Sequence, residues 1–329
     1  MGYALRVPAL DLPTTLPDPR ALRNCNQNAA AYEPWFWEVE YVSYRYLGRL
    51  SSDKLQARYA DVIKNLRRLS APARASIPSQ FFQSAWYWYR KEHQTRLEFF
   101  LRSVVPAAEV HALPQVQAPD SRFPMNEVGD PRLLFRYTQK QYAEATRDFG
   151  VIRVAPAASY RNIEGDAARA DEEMVKTIIL PGGHTKVTDM EGNVMKVVGD
   201  VRVDHSGPDY FVTCFSSAWD VRMFDDFPDT THCIAVLDVD AFASRLEAAG
   251  RRHFTGWYFH HNPAWYFDPH ESSLKSYVSH ATCKDFRFAY QEEYRFLWAN
   301  HGGKLVQDAQ FLELGSLVGI VDVVERPSG

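Results

Sequence analysis

The first third of the chain places apolar residues at helical spacing. The clearest stripe has successive intervals of four, three, four and three residues, and its members are Leu55, Tyr59, Val62, Leu66 and Leu69. Residues at these intervals share one face of a helix. Shorter stripes at 35–46 and 82–104 repeat the spacing, and prolines separate the stretches where a helix cannot easily continue. We therefore predict a helical bundle over residues 1–120.

The pattern changes after a proline-rich segment at residues 121–131. Short apolar runs typical of strands follow, and the clearest are Leu133–Thr138, Tyr210–Ser216, His232–Val239, Phe286–Ala289 and Tyr294–Ala299. An early helix-like segment followed by many short strands is typical of the α+β class and not of a parallel doubly wound sheet. We therefore predict an α+β protein with a helical N-terminal domain (1–120), a linker (121–131) and a strand-rich domain (132–329).

Composition and charge narrow the class of protein. The 329 residues are 46% hydrophobic and 24% charged with a formal net charge of −4, which excludes a mainly disordered chain and a wholly basic nucleic-acid coat. No run approaches the roughly 18 consecutive apolar residues of a membrane-spanning helix, and the start of the chain lacks the pattern of a secretory signal. The four cysteines are scattered without a C-x-x-C pair. We expect a soluble, reduced, cytoplasmic protein with no membrane partner.

Arg136 is the first residue with candidate chemistry. Strand alternation in Leu133–Thr138 puts Arg136 on the face opposite Phe135 and Tyr137. A guanidinium on an otherwise apolar strand face needs an anion. That anion is either a carboxylate of the fold or a phosphate of a ligand.

Two further segments carry hydroxyl, amide and carboxylate groups. Ser216 and Ser217 end an aromatic strand, where they either meet a ligand or simply terminate the strand. Gln291 and Glu293 are two residues apart at a predicted strand start, so both side chains project from one face. That pair suits a site that grips a sugar hydroxyl. The alternative is a charged strand entry, in which the glutamates pair with neighbouring arginines.

The order of these segments resembles the R-S-E arrangement of mono-ADP-ribosyltransferases. Arg136 corresponds to the arginine on the first strand of that family, Ser216-Ser217 to its Ser-Thr-Ser element, and Gln291 with Glu293 to its Q/E-x-E motif. The resemblance covers about residues 130–329. The middle element lacks the family's full pattern, which leaves open which serine corresponds. The last segment is also similar to a broad set of uncharacterised bacterial proteins.

The resemblance implies a split-sheet domain, NAD as the substrate and a role for each site residue. Arg136, with Tyr137 beside it, would hold the NAD phosphates, and the serine would lie near the nicotinamide ribose. Glu293 would accept a hydrogen bond from a ribose hydroxyl and stabilise the oxocarbenium-like charge, while Gln291 points away from arginine as the acceptor. The implied function is transfer of ADP-ribose to a protein or nucleic acid, as a toxin or defence effector, with an antitoxin or regulator as a further partner.

Two other functions compete with this interpretation. A metal-dependent hydrolase or nuclease would use the dense histidines of one region, which are His253, His260, His261, His270 and His280. They lack the spacing of a known metal motif, so histidines at a surface or interface are favoured. A non-enzymatic nucleic-acid-binding protein would stack bases on the aromatic residues interleaved with arginine at 35–49 and 86–91, although core packing is the favoured explanation for those rings.

Overall fold

The computed structural model describes residues 34–69, 85–106, 123, 131–162, 173–227, 229–271, 279–300 and 308–327. Within these ranges the N-terminal part contains three helices, α1 (Pro34–Tyr44), α2 (Ser52–Leu69) and α3 (Ala85–Leu101). All five residues of the predicted apolar stripe lie in α2 and are buried. None of the helices in the described ranges is long and apolar enough to cross a membrane.

The rest of the described chain is rich in strands, which confirms the α+β class. Its strands are Leu134–Thr138 (β1), Val151–Pro156 (β2), Val175–Leu180 (β3), Val187–Thr188 (β4), Val194–Met195 (β5), Val201–Ser206 (β6), Phe211–Ser216 (β7), His232–Val236 (β8), Tyr258–Pro263 (β9), Trp265–Phe267 (β10), Cys283–Asp285 (β11), Glu293–Ala299 (β12), Gln310–Glu313 (β13) and Val321–Glu325 (β14). Its α-helices are Lys140–Phe149 (α4), Met223–Asp226 (α5) and Val239–His253 (α6). Short 3₁₀ helices occur at Ala157–Asn162, Gly182–His184 and Phe286–Gln291.

The main sheet divides at β7. Along one edge, β7 pairs antiparallel with β12 over six residues, and β12 pairs in turn with β9. A strand has two hydrogen-bonding edges, so the remaining partners of β7 share the other one. There β2 pairs with the beginning of β7 and β1 pairs with its end. The β2 branch continues to β13, and the β1 branch continues through β8 to β14.

The helical part and the strand-rich part share one hydrophobic core. Trp37, Leu66 and Trp88 of the helices belong to the same buried cluster as Phe135 and Phe286, and the rings of Trp88 and Phe286 stack with centroids 5.9 Å apart. A second cluster lies between the sheet and helices α4 and α6. Most of the predicted linker at 121–131 lies outside the described residues. The division into 1–120, 121–131 and 132–329 stays a prediction.

Polar contacts also join α2 to the strand-rich part. The guanidinium of Arg58 donates two hydrogen bonds to the carboxylate of Asp268, at 2.9 and 2.6 Å, and both side chains are buried. The amide of Asn65 donates to the carbonyls of Phe286 and Arg287 and accepts from the backbone N–H of Tyr290 at 2.7 Å. The prediction of a strand at Phe286–Ala289 is wrong. The segment is a 3₁₀ helix, and its backbone groups form hydrogen bonds with Asn65 of α2.

Candidate active site

A cavity of about 270 Å³ opens where β1 and β2 diverge from the shared edge of β7. Residues of these three strands line it, together with Glu173 before β3, Lys284 of β11 and the beginning of β12. Among its lining residues are five of the six site residues predicted from the sequence: Arg136, Tyr137, Ser216, Gln291 and Glu293.

Strand register explains why residues so distant in sequence meet here. Ser216 at the end of β7 is paired with Phe135 of β1 on one side and with Glu293 of β12 on the other. Directly opposed residues on neighbouring antiparallel strands lie roughly 4.5–5.5 Å apart between Cβ atoms. Arg136 follows Phe135, so alternation directs its side chain to the other face of β1 from this row. The arginine, the serine and the glutamate nevertheless all line the cavity, which opens where β1 and β2 diverge.

Glu293 is buried, and both oxygens of its carboxylate accept hydrogen bonds from cations. Arg295 Nε donates to Oε1 at 2.6 Å, and Lys284 Nζ donates to Oε2. The backbone N–H of Glu293 donates to the hydroxyl of Tyr266 at 2.7 Å. Burial by itself would raise the pKa of Glu293, but the charges of Arg295 and Lys284 outweigh it and hold that pKa below its usual value. The alternative considered for this segment, a glutamate paired with Arg295, is therefore present, and the pair lies at the cavity wall.

The Glu293 carboxylate belongs to a buried chain of alternating charges. Arg295 also donates to Glu173 at 2.9 Å through Nη2, and Lys176 donates to the other oxygen of Glu173 at 3.1 Å. With Lys284 at the opposite end, three cations and two carboxylates leave one net positive charge. Burial alone would raise the pKa of Glu173, but the charges of Arg295 and Lys176 hold that pKa far below its usual value.

Arg136 is half-buried and reaches across the cavity to β7. Its Nη1 donates to Oγ1 of Thr213, and its guanidinium carbon lies 5.6 Å from the centre of the Phe215 ring. Arg153 of β2 is exposed and lines the same cavity. These two arginines make the wall favourable for an anion.

The two predicted serines occupy different positions. Ser216 lines the cavity, where its hydroxyl donates to the carbonyl of Ala218 at 2.9 Å and accepts from the N–H of Ala218 at 3.1 Å. Ser217 is not among the lining residues: its N–H and its hydroxyl both donate to the carbonyl of Glu292, at 2.7 and 2.9 Å. Ser217 thus fastens the end of β7 to the beginning of β12, and the geometry favours Ser216 as the site residue.

Gln291 and Glu293 do not share a strand as the sequence suggested. Gln291 ends a 3₁₀ helix, Glu292 has a left-handed backbone with φ 45°, and Glu293 begins β12. The amide of Gln291 nevertheless lines the cavity, where its oxygen accepts from Lys284 Nζ at 3.0 Å and its nitrogen donates to the hydroxyl of Tyr290 at 3.3 Å.

Tyr137 contributes a ring rather than a free hydroxyl. Its hydroxyl donates to the carbonyl of Asp220 at 3.0 Å and accepts from the N–H of Asp220 at 2.9 Å. The ring stacks on Trp219 with centroids 6.0 Å apart. Burial raises the pKa of Tyr137 well above its usual value, so the hydroxyl stays protonated. Tyr137 therefore shapes the wall next to Arg136.

Cys214 is the cavity's thiol. Burial, with a smaller contribution from the charge of Glu293, raises the pKa of Cys214 above its usual value. A thiol in this environment stays protonated near neutral pH, and a protonated thiol is a poor nucleophile.

The histidines of the metal alternative lie in separate surroundings. His261 Nδ1 is 2.6 Å from the hydroxyl of Tyr294, whereas His280 Nε2 is 2.9 Å from the carbonyl of Pro208. Burial and the nearby charge of Arg58 lower the pKa of His270 to about 4. Within the described ranges, no three side chains of His, Cys, Asp and Glu are grouped so that they could hold a metal ion.

The aromatic helices of the nucleic-acid alternative are largely buried. The buried rings are Trp37, Tyr41, Tyr87, Trp88 and Tyr89. The neighbouring cations bind acidic side chains of the protein: Arg90 lies 3.1 Å from Glu271, and Lys91 lies 3.2 Å from the same carboxylate. Most of these aromatic and basic groups therefore stabilise the fold and do not form a stacking surface.

Comparison of the chain with protein-family models, with curated proteins and with solved structures found no match. The similarity to mono-ADP-ribosyltransferases remains a resemblance of three short segments.

Proposed function

We propose that the chain binds NAD in the cavity at the divergence of β1 and β2, cleaves the nicotinamide–ribose bond and transfers ADP-ribose to a macromolecule. One observation carries this proposal: Arg136, Ser216 and Glu293, which come from three separate segments, line a single cavity. That is the arrangement which a guanidinium, a hydroxyl and a carboxylate need in order to act on one ligand.

The charge of the cavity supports a phosphate-bearing ligand. Arg136 and Arg153 line it as cations, while its carboxylates, Glu173 and Glu293, are already bonded to the cations Lys176, Lys284 and Arg295. A planar guanidinium such as that of Arg136 can donate two parallel hydrogen bonds to a phosphate. A pyrophosphate would therefore replace water at a site with excess positive charge.

The size of the cavity indicates how a dinucleotide would lie. Its volume of about 270 Å³ is just below the range of roughly 300–1,000 Å³ for pockets that bury a whole drug-sized ligand. The nicotinamide ribose would enter, with its anomeric carbon near Glu293. The adenosine end would extend toward the exposed Arg153.

The chemistry follows from the position of the carboxylate. The glycosidic bond breaks, its electron pair leaves with nicotinamide, and the ribose becomes an oxocarbenium-like cation that a nucleophile of the acceptor attacks with loss of a proton. A carboxylate oxygen can accept more than one hydrogen bond, so Glu293 can still accept from a ribose hydroxyl. At 4 Å and an effective dielectric of about 20, its charge would stabilise the cation by about 4 kcal/mol, or about three decades in rate. Lys284 and Arg295 reduce this figure because they repel the same cation.

The test is release of nicotinamide and transfer of label from NAD that carries the label on its adenylate. The purified protein is incubated with this NAD and a cell lysate, and label is then sought on protein and on nucleic acid. Arg136→Met should weaken NAD binding, with KM raised about 100-fold for the loss of a charge-assisted, bidentate contact worth about 3 kcal/mol. No release above the blank by the folded parent would overturn the proposal.

Arg202→Met is a matched control for Arg136→Met. Like Arg136, Arg202 lies on a strand and donates to a threonine hydroxyl, that of Thr177 at 3.3 Å, but it is exposed on β6 and does not line the cavity. Its KM for NAD should stay at the value of the parent. An equal rise of KM in both variants would show that Arg136 does not hold the ligand.

A role as a toxin or defence effector is part of the proposal only through the resemblance. Expression of the parent in bacteria should then arrest growth, and Arg136→Met should relieve the arrest at equal protein level. Normal growth with active parent protein would remove this role.

A further inference from the structure

Lys284 is a buried cation that the three candidate segments do not include. It is the middle residue of the short strand β11, which pairs parallel with β10, and its register partner is Tyr266. Its side chain is 5% exposed and lines the cavity. A buried lysine is costly unless its ammonium group is hydrogen-bonded and paired, so its partners indicate what it does.

The ammonium group of Lys284 joins the two residues of the Gln-x-Glu segment. It donates to Oε1 of Gln291 at 3.0 Å and to Oε2 of Glu293. Between these residues the backbone turns at Glu292, which has a positive φ of 45°. Because Gln291 ends a 3₁₀ helix and Glu293 begins a strand, the regular backbone does not align their side chains. The hydrogen bonds that both side chains accept from Lys284 align them instead.

The carboxylate of Glu293 is held at both oxygens. Arg295 Nε fixes Oε1 at 2.6 Å, and Arg295 itself is anchored by Glu173 at 2.9 Å. If only Arg295 were bonded, the carboxylate could pivot about the Oε1 contact while the other side-chain torsions adjust. The second donor, Lys284 on Oε2, fixes the plane of the group.

We propose that Lys284 is a positioning residue, which aligns the Gln291 amide and the Glu293 carboxylate toward the ligand cavity. The proposal rests on the proposed function for its kinetic consequence, but the alignment itself is a property of the unliganded protein. A competing role is direct binding of the ligand's phosphates by the ammonium group. The two roles differ in whether kcat or KM changes.

The experiment compares Lys284→Met with the parent in nicotinamide release from NAD. Displacement of a catalytic group by about 1 Å costs about 100-fold in rate, so kcat should fall about 100-fold while KM stays within about threefold. Lys284→Arg keeps a cation and should restore part of kcat. If Lys284→Met fails to fold, Lys284→Arg still decides, because its planar fork cannot reproduce both bonds and should lower kcat without raising KM.

Lys91→Met is the matched control. Lys91 is also buried and lies 3.3 Å from Asp268 and 3.2 Å from Glu271, but it is not a lining residue of the cavity. It should lose stability in the same way and keep kcat within about threefold, because its bonds do not orient a group in the cavity. An equal loss of kcat in Lys91→Met, an unchanged kcat in Lys284→Met, or a rise in KM alone would overturn the positioning role.

Crystal structures of the parent and Lys284→Met separate this inference from the proposed function. The Glu293 carboxylate should turn away from the cavity in the variant and stay in place in Lys91→Met. A carboxylate that keeps its position in Lys284→Met would overturn the inference even if the parent cleaves NAD. If the parent releases no nicotinamide, the proposed function falls, and the position of the carboxylate still decides the role of Lys284.

Discussion

Replacement of Glu293 by glutamine tests the site and the fold together. The sequence alone suggests that Glu293→Gln removes chemistry and leaves folding intact. The structure changes that expectation, because both carboxylate oxygens of Glu293 accept from buried cations. Glutamine has one acceptor oxygen and one NH₂ group, so either Arg295 or Lys284 would face a donor instead of an acceptor.

The expected loss of stability follows from the charges. With Glu293 neutral, the buried chain would hold three cations and one carboxylate, so its net charge would rise from one to two. Removing one partner of a buried ion pair costs about 3–5 kcal/mol. We expect about 3 kcal/mol, because the glutamine still satisfies one of the two donors. That is a large fraction of the roughly 5–15 kcal/mol that stabilises a typical domain.

Urea unfolding followed by tryptophan fluorescence would measure the loss, since the chain has 8 tryptophans. The rate of nicotinamide release would be measured on the same samples in urea-free buffer, where the variant stays folded. The rate should fall by about 100-fold or more, because a charge that faces the transition state is lost. Glu325→Gln makes the same chemical change at an exposed position of β14, outside the lining of the cavity, and should alter stability by about 0.5 kcal/mol or less. If Glu293→Gln matches the parent in stability and in activity, the carboxylate is neither bonded nor used as described here.

Two further outcomes follow from the buried ion pairs. Arg58→Met would leave Asp268 with Lys91 as its cation and should lower the free energy of unfolding by about 3–5 kcal/mol, measured in urea; a loss below about 1 kcal/mol would contradict the described pairing between α2 and the strand-rich part. Acid should also destabilise the protein. Burial alone would raise the pKa values of Asp268, Glu173 and Asp220, but neighbouring cations hold these pKa values below their usual range. The stability that the three carboxylates add is therefore present above their unfolded pKa of about 4 and is lost as pH falls through the folded pKa values. Burial also lowers the pKa values of His270, His93 and His261, so the unfolded state takes up more protons than the folded state below about pH 7. The urea midpoint should therefore begin to fall below about pH 7 and fall more steeply below about pH 5, and a midpoint that rises on acidification would refute this.

Local pattern was enough to predict the helices and the strands that carry the site. The apolar stripe of α2 is buried as its spacing indicates, and short apolar runs identified the strands β1, β7 and β12. The three candidate segments meet because those strands are neighbours in the sheet. That neighbourhood was suggested by the family resemblance and not by any local signal.

The partners of Glu293 could not be predicted in the same way. Arg295 is fully buried in the interior of β12, and its partner Glu173 is 122 residues away in sequence. Lys284 looks like an ordinary charged residue of a short strand. Burial of such charges depends on the tertiary fold, which a window of sequence does not contain.

The backbone conformation of Phe286–Ala289 could not be predicted from local sequence either. Its aromatic, alternating pattern favours a strand, and the 3₁₀ helix forms instead where Asn65 of α2 binds its carbonyls. Tertiary hydrogen bonds therefore override local propensity at this point.

The bond network of Asn65 has a consequence for anyone who wishes to work with a shorter version of this protein. Excision of the N-terminal helices would strip two carbonyls and one N–H of their partners and uncover the aromatic rings beneath them. The segment that ends in Gln291 would lose its support on the side of α2. A fragment beginning at residue 132 would thus lack the helix that holds Phe286–Gln291, and with it part of the support of the cavity wall.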